Sequence, residues 1–129
     1  MRINIHAGHN PDGMTACGAV GLIRESTEAR SVKDRVVTQL TAMGHTVYDC
    51  TCNNGTSQQD VLKRIVEACN KNDVDLDVSI HFNAAANPEP DGKTTGMEVL
   101  VFGKTSKAVP WAQKIADSIA ALGYRNRGI

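Results

Sequence analysis

The N-terminal stretch MRINIHAGHNPDG, residues 1–13, decides the fold because it joins a short apolar strand to a glycine-rich loop. Ile3 and Ile5 share one face of a predicted strand over 1–5. The loop over 7–21 contains four glycines and therefore needs unusual backbone angles. Long loops inside compact domains tend to be functional, and a histidine held at a strand end is well placed to be a ligand. His9 is the first candidate site residue.

Strands and helices alternate along the rest of the chain. Apolar residues at steps of three and four predict helices over 25–43, 57–69 and 106–122. Alternating or short apolar runs predict strands over 45–49, 74–82 and 97–102, with a polar loop over 83–95. Gly44 and Gly123 end the first and third helices, and Ser57 caps the second with Asp60 at the third position. The inward faces are predicted to include Ala29, Val32, Val36, Leu40 and Met43 in the first helix, and Val109, Ala112, Ile115, Ile119 and Leu122 in the third.

This alternation predicts an α/β fold, a three-layer sandwich with a mostly parallel sheet flanked by helices and right-handed crossovers. Ligands in such folds bind beyond the carboxyl ends of the strands. His9 follows the first strand and His81 ends the strand over 74–82, so both should project from that edge, while Glu25 opens the first helix. Two imidazoles and one carboxylate form a set used by catalytic zinc, which keeps a fourth position open. We predict a Zn²⁺ site made of His9, Glu25 and His81.

Each of the three residues also has a purely structural explanation. An acid such as Glu25 is favoured in the first turn of a helix by the helix dipole. His9 can be a loop histidine without a ligand role, and His81 a hydrogen-bonded histidine under the following loop. The zinc prediction depends on the three together, because metal-type side chains stand at matching topological positions.

Composition limits the classes of function. The 129 residues fit one domain, and 14 basic against 14 acidic side chains argue against a nucleic-acid surface or a polybasic membrane patch. No apolar run reaches the length of a membrane span, and no signal-peptide pattern opens the chain, so we expect synthesis in the cytoplasm. Cys17, Cys50, Cys52 and Cys69 are predicted to be free thiols. A cysteine-based structural zinc site is disfavoured, since only one close cysteine pair exists and it lacks the CxxC spacing.

Four short motifs in order resemble the zinc-dependent N-acetylmuramoyl-L-alanine amidases, including the catalytic domains of phage endolysins and bacterial autolysins. They are AGHN at 7–10, IRE at 23–25, SIHFNA at 79–84 and GMEV at 96–99. The resemblance extends to RNRG at 125–128, which is similar to the family's stretch after its last helix. It implies that His9, Glu25 and His81 bind zinc, and that residues 1–129 are an amidase catalytic domain.

The resemblance also implies the reaction and its setting. The zinc would polarise the amide between N-acetylmuramic acid and L-alanine in peptidoglycan and activate a water molecule. The family's general base is a glutamate on a further strand, so we expect the base and the C-terminal strand or strands beyond Ile129, with Glu98 as the candidate inside the chain. We expect action at the bacterial cell wall, release through a holin or a phage lysis system, and a cell-wall-binding domain in a longer parent chain.

Two other classes of function stay open. A zinc-containing cell-wall binding module would share the ligands without turnover. A metal-free α/β binding domain would use His6 and His9 for a phosphate, although the loop lacks the spacing of a P-loop. His6 stands where the family often has an acid and is predicted to support the site or the core, while His45 is predicted to lie at a helix end or on the surface.

Overall fold

The computed structural model describes residues 1–84 and 95–129, which belong to two units. The first unit, Met1–Ala84, contains β1 (Arg2–Ala7), α1 (Glu25–Ala42), β2 (Thr46–Asp49), α2 (Gln58–Cys69) and β3 (Leu76–Ile80). The second unit, Ala85–Ile129, contains α3 (Val109–Ala120). The predicted alternation of strands and helices is confirmed through β3, and most of the predicted loop over 83–95 lies outside the described residues.

The strands of the first unit form a parallel sheet in the order β2-β1-β3. β1 is central, and its Ile5 is in register with Asp49 of β2 and Val78 of β3. Because β2 and β3 flank β1 on opposite sides, right-handed crossovers place α1 and α2 on opposite faces of the sheet. Parallel strands also bring their carboxyl ends to one edge.

Contacts on the two faces agree with this arrangement. Lys33 of α1 donates a hydrogen bond to Asp49 at 2.7 Å, on the face that includes Ile5. On the other face the buried Asn4 side chain donates to the carbonyl of Cys69, the last residue of α2, at 3.1 Å. The predicted three-layer α/β sandwich is confirmed.

The buried stripe of α1 differs from the predicted one. Of the five predicted apolar positions only Ala29 is buried, whereas Val32 and Met43 are exposed. Glu25 and Lys33 are buried instead, one helical turn on either side of Ala29. The small Ala29 side chain leaves room for the sheet, and the two charged residues have ionic partners that compensate for their burial. No helix within the described ranges is both long and apolar enough to cross a membrane.

The predicted strand over 97–102 is wrong. Met97 makes an isolated parallel bridge with Asn126, and the amide of Val99 donates to the carbonyl of Gly128 at 3.1 Å. A strand needs a continuous ladder of backbone hydrogen bonds, and alternating apolar residues do not supply the partner. The predicted inward face of α3 is also partly wrong, because Ala112 and Ala116 are its buried residues while Ile115 and Leu122 are exposed.

Candidate metal centre

Three side chains from separate segments meet at the carboxyl edge of the sheet. His9 lies two residues after β1, Glu25 is the first residue of α1, and His81 directly follows β3. One potential ligand atom from each residue lies within 4.8 Å of those of the other two. The parallel sheet explains the meeting, because β1 and β3 are neighbours and end at the same edge.

Both imidazoles contact the same carboxylate oxygen. Glu25 Oε1 lies 3.3 Å from His9 Nε2 and 3.1 Å from His81 Nδ1. The side chains of Glu25 and His9 are 8% and 17% exposed, whereas that of His81 is 44% exposed. The cluster is therefore closed on the side of Glu25 and open to solvent at His81.

Hydrogen bonds hold Glu25 in its charged form. Burial alone would raise the pKa of this carboxyl, but the amides of Ala19 and Phe82, a hydrogen bond from His81 and the charge of His9 lower the pKa below its usual value. The amide of Ala19 donates to Oε2 at 2.9 Å, and that of Phe82 to Oε1 at 3.2 Å. A buried acid that accepts two backbone amides is an anionic ligand fixed in position.

Asn10, the residue after His9, holds the His9 loop in place through hydrogen bonds. His9 has a φ of +65°, a value uncommon for residues other than glycine. The Asn10 side chain is fully buried, donates to the carbonyls of Thr15 and Gly55 at 2.8 and 2.7 Å, and accepts from the Gly55 amide at 3.0 Å. These bonds hold the loop in the conformation that turns the His9 ring toward Glu25.

Arg30 of α1 holds the same loop from the other side. Its guanidinium donates to the carbonyl of His9 at 2.9 Å and to that of Cys52 at 2.9 Å. It also reaches the carbonyl of Gly8 at 3.4 Å and the side-chain oxygen of Asn53 at 2.9 Å. Arg30 and Asn10 were missed as site residues in the sequence, because their partners lie far away along the chain and no local spacing reveals them.

Two glycines allow the cluster to form. A Cβ at Gly8 would lie 2.0 Å from the His81 ring, so that ring packs directly over the glycine backbone. A Cβ at Gly18 would lie 2.6 Å from Glu25 Oε2 and 2.7 Å from His9 Cδ2, and this glycine also has a φ of +80°. The glycine-rich composition of the loop is therefore partly explained by close approach to the site.

The three residues fit a divalent metal ion. The Nε2 atom of His9 and the Nδ1 atom of His81 lie 3.3 and 3.1 Å from Glu25 Oε1, so the three donor atoms are close enough to share one ion. Two neutral imidazoles and one carboxylate are donors that transition metals accept. The sequence-predicted ligand set is thus brought together in a form that can hold a metal.

The remaining candidates have other partners. His6 points to the α2 face of the sheet, where its Nε2 atom lies 3.7 Å from Asp77 Oδ1. His45 Nδ1 lies 3.3 Å from the amino group of Met1, and Glu98, in the second unit, pairs with Arg127 at 3.4 Å. Cys17, Cys50, Cys52 and Cys69 form no disulfide in this structure, and Cys50, Cys52 and Cys69 are buried.

Residues 3–129 match the model of a family described as N-acetylmuramoyl-L-alanine amidase. The chain belongs to this amidase family. The fold is similar to that of a solved structure, the catalytic domain of the CD27L endolysin, described as targeting Clostridia Difficile, with a TM-score of 0.78. That match covers 99% of this chain and 68% of the endolysin chain at 23% identity.

Two relatives of this amidase-family chain come from Clostridium perfringens. An uncharacterized protein of strain 13 / Type A is 32% identical over 130 residues, and an uncharacterized 38.4 kDa protein is 35% identical over 130 residues. Both matches span the whole of this chain but only 37% and 36% of the respective relatives.

Proposed function

We propose that residues 1–129 are the catalytic domain of a zinc-dependent N-acetylmuramoyl-L-alanine amidase. The observation that carries this proposal is the meeting of His9, Glu25 and His81 at one edge of the sheet in a chain of the amidase family. The bond to be hydrolysed is the amide between the lactyl group of N-acetylmuramic acid and L-alanine in peptidoglycan.

The spacing of the donor atoms supports zinc as the metal. Tetrahedral Zn²⁺ with bonds of about 2.0–2.2 Å to nitrogen and oxygen separates two such ligands by about 3.4 Å. The corresponding distances from Glu25 Oε1 are 3.3 Å to His9 and 3.1 Å to His81. Both distances from this oxygen are therefore within a few tenths of an ångström of the separation expected for two ligands of one zinc ion.

The chain's own residues prepare the site for this chemistry. Zinc bound here would polarise the scissile carbonyl and activate water for attack on it. The amides of Ala19 and Phe82 keep Glu25 anionic and aligned, and Arg30 fixes the backbone of His9. The exposed side of His81 leaves an approach for a large polymer such as peptidoglycan. We assign no general base within these residues.

The place of action follows from the substrate. We propose that the protein acts at the bacterial cell wall after synthesis in the cytoplasm, with release through a holin or as part of a phage lysis system. A cell-wall-binding domain in a longer parent chain would hold the catalytic domain at its insoluble substrate. The extra length of the two relatives is compatible with such an arrangement.

Metal analysis combined with digestion of purified cell wall tests the proposal. We expect His9→Ala and His81→Ala to remove about one zinc equivalent per chain and to stop the release of new L-alanine amino termini. His45→Ala is the matched control, because its imidazole lies by the amino group of Met1 and not in the cluster. Full zinc retention by both site variants would overturn the ligand assignment.

The same assay separates the two alternatives. If the protein is a zinc-containing wall-binding module, these variants would also lose their metal. The wild-type protein, however, would release no amino termini from the cell wall. A metal-free domain that binds phosphate through His6 and His9 would carry no zinc at the cluster. That alternative is disfavoured, because both imidazoles face a carboxylate, Asp77 or Glu25, which would repel a phosphate.

A further inference from the structure

A second cluster of metal-type side chains lies on the α2 face of the sheet. His6 of β1, Cys69 at the end of α2 and Asp77 of β3 each place one donor atom within 4.8 Å of the other two. None of these residues belongs to the cluster of His9, Glu25 and His81. We propose that His6, Cys69 and Asp77 form a second site for a zinc-class divalent metal ion.

The donor spacing matches a tetrahedral ion. Zn²⁺ bonds of about 2.3 Å to sulfur and about 2.1 Å to oxygen or nitrogen separate a sulfur and an oxygen ligand by about 3.6 Å, and a nitrogen and an oxygen ligand by about 3.4 Å. The Cys69 Sγ atom lies 3.6 Å from Asp77 Oδ1, and His6 Nε2 lies 3.7 Å from the same oxygen. Both distances from Asp77 Oδ1 are therefore close to those expected for ligands of one ion.

Neighbouring side chains orient the donors. Ser79 Oγ lies 3.3 Å from His6 Nδ1, which leaves Nε2 directed at Asp77. The fully buried Asn4 side chain donates to Asp77 Oδ2 at 3.0 Å, so that Oδ1 faces the cluster. Hydrogen bonds of this kind, to the second nitrogen of a histidine and the second oxygen of a carboxylate, are typical around protein metal sites.

Charge and access suit a divalent cation. The Cys69 thiol donates to Asp77, and metal binding would replace its proton, which leaves to solvent. The resulting thiolate, carboxylate and neutral imidazole balance the two positive charges of the ion. The Asp77 side chain is 44% exposed, so an ion can reach the site from solvent and a water molecule can take the fourth position. A thiolate ligand favours zinc-class ions over calcium or magnesium.

Cobalt(II) titration tests this second site separately from the proposed amidase site. The metal-free, reduced chain carrying His9→Ala and His81→Ala is titrated with Co²⁺, and the near-ultraviolet thiolate-to-cobalt charge-transfer band is followed. Only a site with a cysteine ligand gives this band. We expect saturation at about one equivalent per chain, and loss of the band when Cys69→Ser is added. Cys17→Ser is the control, because Cys17 belongs to neither cluster, and should keep the band.

A second variant covers the case in which Cys69→Ser fails to fold. Asp77→Asn keeps an acceptor for Asn4 and should weaken Co²⁺ binding by at least about tenfold, in the range found when metal-site groups are altered. Circular dichroism checks that each variant is folded. Absence of the band in the parent chain, its persistence in folded Cys69→Ser, or unchanged affinity in folded Asp77→Asn would overturn the second site, whatever the fate of the amidase activity.

Discussion

The imidazoles of His9 and His81 lie edge to face, with ring centroids 4.9 Å apart and planes at 83°. Each ring contacts the same oxygen of Glu25, so the three side chains form one cluster rather than two separate pairs. Edge-to-face placement lets two nitrogen atoms converge on one point without a clash between the rings. The geometry therefore depends on the backbone positions that hold the rings, and these positions can be tested directly.

Gly18 offers a test of the close approach to the cluster. We expect Gly18→Ala to disrupt the site, because the new Cβ would lie 2.6 Å from Glu25 Oε2 and 2.7 Å from His9. Gly13→Ala is the matched control: its φ is +81° against +80° at Gly18, but nothing lies within 4 Å of its Cβ. In both variants the free energy of unfolding should fall by about 1–2 kcal/mol, because alanine is unfavourable in the left-handed backbone conformation. Only Gly18→Ala should bind zinc more weakly in an equilibrium titration. Equal zinc affinity in the two variants would contradict this account.

Arg30 is expected to act on metal affinity through the loop backbone. Arg30→Lys keeps the charge but cannot reach the carbonyls of His9 and Cys52 together, because lysine lacks the planar fork of donors. We expect zinc to bind about 10–100-fold more weakly, as measured by competition with a chelator. Arg35→Lys, on the exposed side of the same helix, should leave affinity unchanged. A similar loss in both variants would point to a general effect on α1 instead.

The ion pair of Lys33 and Asp49 predicts how stability depends on pH. Burial would raise the pKa of Asp49, but hydrogen bonds from Lys33 and Thr51 outweigh it and lower the pKa below its usual value. Burial would lower the pKa of Lys33, but Asp34 and Asp49 outweigh it and raise the pKa above its usual value. The pair's stabilisation is thus complete between the unfolded-state values of about 3.9 and 10.4. It is lost as pH falls through the folded pKa of Asp49 or rises through that of Lys33.

Urea denaturation of Lys33→Met tests this prediction. At pH 7 we expect the free energy of unfolding to fall by about 1–2 kcal/mol. This value lies between those typical of exposed and of buried ion pairs, because Lys33 is buried while Asp49 is partly exposed. The loss should shrink as the pH falls below about 3.9, because the stabilisation by the ion pair in the wild type is then progressively lost. Lys63→Met removes the exposed Lys63–Glu67 pair and should cost less than about 0.5 kcal/mol. A difference that stays constant between pH 3 and pH 7 would exclude the ion pair as its source.

Glu98 is expected to play no part in proton transfer. Its carboxylate pairs with Arg127 at 3.4 Å, so it already has a cationic partner other than a reacting water. We expect Glu98→Gln to change the rate of amino-terminus release per bound zinc by less than about twofold, whereas loss of a general base typically costs about 10²–10⁴-fold. A drop of the larger size with zinc retained would identify Glu98 as the base.

The sequence predicted correctly those parts of the structure that are determined by residues close together along the chain. Ser57 was recognised as a helix cap, and its hydroxyl accepts from the amide of Asp60 at 3.2 Å. Gly44 was recognised as the end of α1, and its φ of +84° agrees. His9 and His81 could be placed at one edge because parallel topology follows from alternating strands and helices. Glu25 joined them because it opens the intervening helix.

The parts that sequence missed depend on distant partners. The strand over 97–102 has the right pattern but pairs with residues 125–128 at only a few points. Arg30 and Asn10 bind carbonyls of Cys52 and Gly55, which no spacing along the chain relates to them. The buried stripe of α1 was misjudged because burial of Lys33 is compensated by Asp49, a residue on another element.

The bonds between Asn10 and Gly55 also determine how the site can move. Lifting the His9 loop would leave the amide and carbonyl of Gly55 without their partners, in a turn where Val61 packs against the glycine. The loop and the turn before α2 should therefore open as one cooperative unit, with hydrogen exchange at the Gly55 amide as slow as that of the loop itself. The His9 side of the cluster should then be rigid, whereas the His81 side chain stays accessible to solvent.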